Sequence, residues 1–271
     1  MITCPLCGAP IAEIRRTAGR KITAIQQHEG ACAFGFTPPL VTLTHDGVYN
    51  MDCIAGMQMI PAESVDLIVT DPPYLIDYAS NRRKDKTHDF CTAIQGDSNP
   101  ELIRDYMREC YRILKNNHAA YVFCSSKTLE FFKKAASDAG FLTKNTIIWV
   151  KNSWTAGDLK AQFGQQYEPI LLLNKGRAPF NGGRITDVWQ FDRVAGKAQL
   201  HQNQKPLPLI EQCIEKHSNE GDMVFDGFMG SGTTAVAATR LGRQFLGFEI
   251  EPKYFDIIHD RLKEVRCNES C

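Results

Sequence analysis

From residue 41 onward, short apolar runs alternate with stretches whose apolar residues recur at helical spacing. Residues 65–70 (Val-Asp-Leu-Ile-Val-Thr) have the pattern of a buried strand, stopped by Pro72 and Pro73. Leu102, Ile103, Tyr106, Met107, Cys110, Ile113 and Leu114 then mark one face of a helix. Further strands are predicted at 119–124, 146–150, 169–173, 223–225 and 244–250. Further helices are predicted at 127–139, from Pro206 towards His217, at 233–241 and at 254–265. Strands and helices in alternation predict an α/β domain: a mostly parallel, twisted sheet with helices on both faces. Ligands of such sheets sit at the carboxyl ends of the strands.

Three segments break the alternation. Residues 78–98 read as a polar loop. Residues 152–205 are rich in glycine, glutamine and basic residues, with Trp154, Phe163, Trp189 and Phe191 among them. Long irregular segments inside a compact domain are often functional. Residues 1–40 carry Cys4, Cys7 and Cys32 and end in a Thr37-Pro38-Pro39 linker, which separates them from a main domain at 41–271.

Composition narrows the class. The 271 residues are 43% apolar and 23% charged, with 31 basic against 31 acidic side chains. This excludes a disordered tail, a collagen-like chain, a small disulfide scaffold and a uniformly basic coat protein. The balance is uneven along the chain. Residues 144–205 hold nine Lys or Arg against four Asp or Glu, and residues 206–271 hold seven against eleven. Such asymmetry suits a protein that presents one face to a polyanion, and it also arises on an ordinary solvated surface. No run approaches the roughly 18 apolar residues of a membrane span. The first residues lack a basic-then-apolar signal, and ten cysteines without one are expected as thiols in a reducing cytoplasm.

Two motifs carry chemistry. The first runs Asp226-Gly227-Phe228-Met229-Gly230-Ser231-Gly232-Thr233-Thr234, between a strand and a helix. Glycines let the backbone approach a ligand, and a helix start offers free N–H groups to an anion. Glu249 follows nineteen residues after Gly230, at the end of the next strand, where an acid binds ribose hydroxyls. The pattern predicts an adenosine-containing cofactor. It lacks the lysine of a triphosphate loop and the glycine spacing of a dinucleotide site.

The second motif, Asp71-Pro72-Pro73-Tyr74, ends the first predicted strand. The prolines lack N–H groups and force the chain out of the sheet, while their carbonyls stay free as acceptors. An aspartate, a backbone acceptor and an aromatic ring in one short turn suit an exocyclic base amine, which has two N–H donors on a flat ring. The same four residues also make a plain strand-stop turn.

With these motifs in this order, the sequence resembles the S-adenosylmethionine-dependent DNA amino-methyltransferases, which methylate adenine N6 or cytosine N4. The catalytic tetrapeptide precedes the cofactor turn, as in the β class. Residues 50–52 and 61–68, His201-Gln202-Asn203-Gln204-Lys205-Pro206 and Phe245-Leu246-Gly247-Phe248-Glu249 extend the likeness over about 46–262. Gly227 departs from the family's usual proline, and Gln202 and Asn203 from its Pro-Thr.

The resemblance implies a Rossmann-like methyltransferase fold with 152–205 as the target-recognition region. It implies that Asp226, Phe228, Gly230, Ser231, Gly232, Thr233 and Thr234 wrap the methionine part of S-adenosylmethionine. Glu249 then holds the ribose, Asp52 meets the adenine amino group, and Lys205 and Pro206 border the same pocket. Asp71 and the Pro72 carbonyl, backed by Pro73, accept the target amine, and Tyr74 stacks on the flipped base. Aspartate at the first tetrapeptide position leans towards adenine. Cytosine N4, an RNA substrate, and a DNA-binding regulator with a non-catalytic scaffold remain the rivals. The expected partner is double-stranded DNA, with no membrane; a homodimer and a cognate restriction endonuclease are compatible with the family.

Cys4 and Cys7, with His28 and Cys32, have the spacings of a tetrahedral Zn²⁺ site. A small zinc-finger-like module at 1–40 is therefore expected beside the alternative of unpaired thiols. Cys53, Cys91, Cys110, Cys124 and Cys213 read as packing residues.

Overall fold

The computed structural model describes residues 2–3, 10–11, 43, 45–76, 96–155, 158–196, 199–201 and 203–269. Two short strands, β1 (Ile2–Thr3) and β2 (Pro10–Ile11), pair antiparallel. Cys4, Cys7, His28 and Cys32 lie outside the described residues. Among the described residues no group of three or more His, Cys, Asp or Glu side chains is placed to hold a metal.

The main sheet has eight strands. In chain order these are β3 (Gly47–Tyr49), β4 (Val65–Thr70), β5 (Leu114–Phe123), β6 (Leu142–Val150), β7 (Tyr167–Lys175), β8 (Val188–Gln190), β9 (Met223–Asp226) and β10 (Gln244–Phe248). Their order across the sheet is β3-β10-β9-β4-β5-β7-β6-β8. Only β7 runs against its neighbours, pairing antiparallel with β5 and β6. β4 leads outward to β5 on one side, and β9 leads to β10 on the other. The gap between the carboxyl ends of β4 and β9 is thus the topological switch point, where such sheets open a crevice.

Helices cover both faces. α1 (Cys53–Met57), α2 (Pro100–Ile113) and α3 (Leu129–Ala139) share one core layer with Ile68, Val122, Leu171 and Phe225. α4 (Leu207–His217), α5 (Thr233–Arg240) and α6 (Pro252–Glu269) share the other with Leu67, Val69, Ile170 and Phe245. Every residue of β4 is buried, as its continuous apolar run requires. α2 starts at Asn99, whose side chain accepts the Glu101 and Leu102 N–H groups, and α3 ends at Gly140 in a left-handed turn. Cys53, Cys110, Cys124 and Cys213 are buried free thiols, and burial pushes Cys53 and Cys124 up to about 12. Among the described residues no helix is long and apolar enough to cross a membrane.

Candidate active site

The two motifs meet at the switch point. The glycine turn follows β9, and its geometry needs glycine at two places. Gly230 and Gly232 have φ of 53° and 79°, the left-handed region that side-chain-bearing residues avoid. A Cβ at Gly230 would lie in ordinary contact with the His201 ring, 3.7 Å away, so the positive φ is what calls for glycine here. Behind the turn, Asp226 is a buried hub. Its Oδ1 accepts from Thr70 Oγ1 at 2.8 Å and Phe228 N at 2.9 Å, and its Oδ2 accepts from Thr234 Oγ1 at 2.8 Å. Burial raises its carboxyl to about 6 despite these donors. Thr70 and Tyr106 hydroxyls lie 2.7 Å apart, and Tyr106 accepts the Gly227 N–H at 3.1 Å. A Cβ at Gly227 would lie 2.4 Å from the Tyr106 ring, so a glycine stands where the family's usual proline would collide. Gly227 makes room for Tyr106 and donates a hydrogen bond to its hydroxyl.

Glu249, one residue beyond β10, reaches back over the turn. Its Oε2 accepts the Gly230 N–H at 2.7 Å and its Oε1 the Glu251 N–H at 2.8 Å. Burial raises it to about 7, and those two N–H groups oppose the rise. His201 packs edge-on against Tyr254 at 4.4 Å, and burial lowers its ring to about 4.

The tetrapeptide leaves β4 as the prolines require. Thr128 Oγ1 donates to the Tyr74 carbonyl at 2.8 Å, and Leu75 N donates to Asp97 Oδ1 at 2.9 Å, which fixes the exit. Asp71 lies within a knot of charge. Lys205 Nζ is 2.7 Å from Asp71 Oδ2, 2.9 Å from Glu168 Oε1 and 2.9 Å from the Tyr74 hydroxyl. The Tyr74 hydroxyl also contacts Asp71 Oδ1, and Glu168 Oε1 at 2.5 Å. Lys151 Nζ completes the group, 2.6 Å from Glu168 Oε2.

The two acids differ. Burial raises Asp71 above the usual carboxylate range against the pull of Lys205. Burial pushes Glu168 the same way, but Lys205 and Lys151 together overturn it and hold Glu168 at about 2. Lys205 stays an ammonium because Asp71 and Glu168 outweigh its burial.

A single cavity of about 640 Å³ joins these groups, lined by Asp71, Pro72, Pro73, Tyr74, Glu168 and Lys205 at one end. Asp226, Phe228, Gly230, Ser231, Thr233, Thr234 and Glu249 line the other. Not every expected residue faces it. Asp52 is exposed and caps α1, its Oδ1 accepting the Ala55 N–H at 2.9 Å. Pro206 precedes α4 as its cap residue, and Gly232 packs against Ile258. Lys205 does border the cavity, with its ammonium on Asp71 at the reacting end. Glu168 and Lys151 were not among the expected site residues. A mostly parallel sheet directs attention to carboxyl ends, whereas β7 is reversed and brings its amino end, with Glu168, to the same edge. After β6, Thr155 and Gln165 reach the cavity lining, and Trp154, Leu159 and Phe163 in the same stretch of sequence are 69%, 84% and 97% exposed.

Comparison with known proteins agrees with this geometry. The family model described as DNA methylase, of the N6 and N4 methyltransferases, matches residues 65–260. The chain is 32% identical over 250 residues to the DNA adenine methyltransferase YhdJ of Escherichia coli K12, covering 79% of this chain and 82% of that one. It is 30% identical to the type II methyltransferase M.HinfI of Haemophilus influenzae, covering 80% and 68%. Among solved structures, the M1.HpyAVI–SAM complex superposes with a TM-score of 0.61 at 27% identity, over 79% of this chain and 98% of the other. The cytosine-N4-specific PvuII DNA methyltransferase shares the fold, with a TM-score of 0.66 at 17% identity over 82% and 88%. A family match across both motifs, and across the strands that bring them together, places this chain in the DNA N6-adenine and N4-cytosine amino-methyltransferase family.

Proposed function

We propose that the protein transfers a methyl group from S-adenosylmethionine to the N6 amine of adenine in DNA. One observation carries the reading: the carboxylate of Asp71 and the glycine-and-acid cradle at Glu249 open into the same cavity. Aspartate at the head of the tetrapeptide and the likeness to an adenine methyltransferase favour adenine over cytosine.

The cradle suits an adenosine-bearing sulfonium. Gly230 lines the cavity in the left-handed conformation of the turn, and α5 starts without a side-chain cap, which leaves its first N–H groups for a ligand carboxylate. Glu249 uses one lone pair of each oxygen on the backbone and keeps others for ribose hydroxyls. Phe228, Ser231, Thr233 and Thr234 supply the remaining wall. S-adenosylmethionine supplies an electrophilic methyl when bound there.

The rest belongs to the chain. The lone pair of an adenine amine is delocalised into its ring and is a poor nucleophile. Asp71 and the Pro72 carbonyl accept its two hydrogens and draw the nitrogen towards tetrahedral geometry, which localises the pair. The nitrogen gains positive charge only as it is methylated, so a carboxylate beside it favours the transition state over the ground state. Tyr74, its hydroxyl tethered, offers a fixed ring for the base to stack on. A base inside a duplex cannot reach the floor of this cavity, so it is flipped out. Residues 152–205 form the target-recognition region, with basic side chains on phosphates and polar ones on base edges. Exchange of that segment with a relative's moves the methylated sequence; unchanged specificity refutes the assignment.

Nucleoside mass spectrometry of unmethylated genomic DNA, incubated with the protein and S-adenosylmethionine, tests the whole reading. N6-methyldeoxyadenosine from the wild type, and none from Asp71→Ala, is the expected result. N4-methyldeoxycytidine overturns the choice of base, and full activity of Asp71→Ala overturns the mechanism.

A further inference from the structure

Amine activation by Asp71 and Pro72 leaves Lys205, Glu168 and Lys151 unused, although all three sit at the reacting end. The Lys205 ammonium lies 2.7 Å from Asp71 Oδ2 with a side chain only 7% exposed. It presents N–H donors to the carboxylate that a target amine needs. Two conflicts follow. The ammonium occupies an acceptor position on Asp71, and its charge stands beside a nitrogen that must become positive.

The same ammonium is already 2.9 Å from Glu168 Oε1, so a side-chain shift alone takes it across. Glu168 is a firm seat. It stands on β7 between β5 and β6, it is buried, and its other oxygen is held by Lys151 at 2.6 Å. The Tyr74 hydroxyl contacts both carboxylates but has one hydrogen, so it donates to one of them at a time. When the ammonium moves to Glu168, that hydrogen is released to Asp71.

We propose that Lys205 holds the target amine's place on Asp71 while no base is bound, and that Glu168 is the positioning residue that takes the ammonium over when the base enters. The inference rests on the reading of Asp71 as the amine acceptor.

A double-mutant cycle tests it on the full chain, with 2-aminopurine at the target position of a duplex carrying the methylated site. 2-Aminopurine fluorescence reports base extrusion separately from chemistry. Glu168→Gln leaves Asp71 as the one carboxylate in contact with Lys205, which tightens that contact. Weaker extrusion and a KM for DNA raised about tenfold or more are expected, with S-adenosylmethionine affinity within about twofold of wild type. In a Lys205→Met background the same Glu168→Gln change has little further effect, because nothing is left to relocate. Glu168→Asp, which keeps the charge, restores part of the loss and separates this role from folding. Independent, multiplying effects of Glu168→Gln and Lys205→Met overturn the proposal, as does equal weakening of cofactor and DNA binding. If Asp71→Ala is itself active, the underlying reading fails first; if it is inactive and the cycle shows no coupling, only this inference fails.

Discussion

The two edges of the sheet treat buried charge in opposite ways. At the amino edge, Asp66, Lys175 and Arg112 each have their partners within the fold. Asp66, near the start of β4, pairs with Lys115 at 2.6 Å and accepts the Met223 N–H at 3.0 Å, tying β4 to β5 and β9. Lys175 donates to the Tyr111 and Leu114 carbonyls at 2.9 and 2.8 Å, and Arg112 to those of Ile60 and Met57 at 2.8 and 2.6 Å. At the carboxyl edge, Asp71, Glu168, Asp226 and Glu249 gather around one cavity, three of them with raised proton affinity. Asp66 and Asp71 stand five positions apart on one run of chain, one inside a finished network and the other against open space. Burial type alone does not separate structural from catalytic acids; what separates them is whether the partners close the site or leave a ligand-sized gap.

The sharpest way to break that contrast is to exchange the two aspartates' phenotypes. Asp71→Ala is expected to lower methyl transfer by at least about 10³-fold while unfolding stays cooperative and cofactor still binds. Single-turnover kinetics and cofactor titration measure both. Asp66→Ala should have the reverse profile. It strands the Met223 N–H and a lysine, at about 1–3 kcal/mol in urea unfolding, with turnover per folded molecule within about threefold of wild type. A catalytic defect in Asp66→Ala with unchanged stability would erase the distinction.

The smallest expected effect sharpens it. Burial lets Glu249 hold its proton to about 7 in the folded chain, against an ordinary value of 4.5. As pH rises through that window the unfolded chain releases the proton first, so stability falls, at up to about 1.4 kcal/mol per pH unit. Without cofactor, Glu249→Gln should lack this slope and be more stable at pH 8 by roughly 1–2 kcal/mol. Parallel unfolding curves for both proteins at pH 5 and pH 8 would show that Glu249 carries no such penalty.

Much of this arrangement was legible in the sequence. Residues 65–70 and 233–241 match β4 and α5 within a residue, because a continuous apolar run and a glycine-led start leave little choice. β5 begins at Leu114, ahead of the expected 119, because Lys115, Asn116, Asn117 and His118 look like a turn and lie at the polar, solvated start of the strand. β3, α1 and β8 have three, five and three residues, too few to show a period. The tetrapeptide and the glycine turn were found because local chemistry marks them. Glu168 carries no local mark: Tyr-Glu-Pro reads as an ordinary strand start until the strand's direction is known. Asp52, chosen by motif position, shows how one residue can carry a fold role that a motif does not announce, since its Oδ1 caps α1. The zinc ligand set, Cys4, Cys7, His28 and Cys32, falls outside the described residues.

Gly227 and Tyr106 constrain each other through descent. A proline at 227 would drive ring atoms into the phenol and delete the N–H that donates to it, so that substitution is harmful while Tyr106 is present. Losing Tyr106 first would open a void beside Thr70 and Asp226 that only a larger residue at 227 could refill. The path between this turn and the family's proline version therefore takes two changes, with position 106 shrinking before position 227 grows. Lineages that carry proline at 227 are expected to carry a smaller side chain at 106, and the pair should be inherited together.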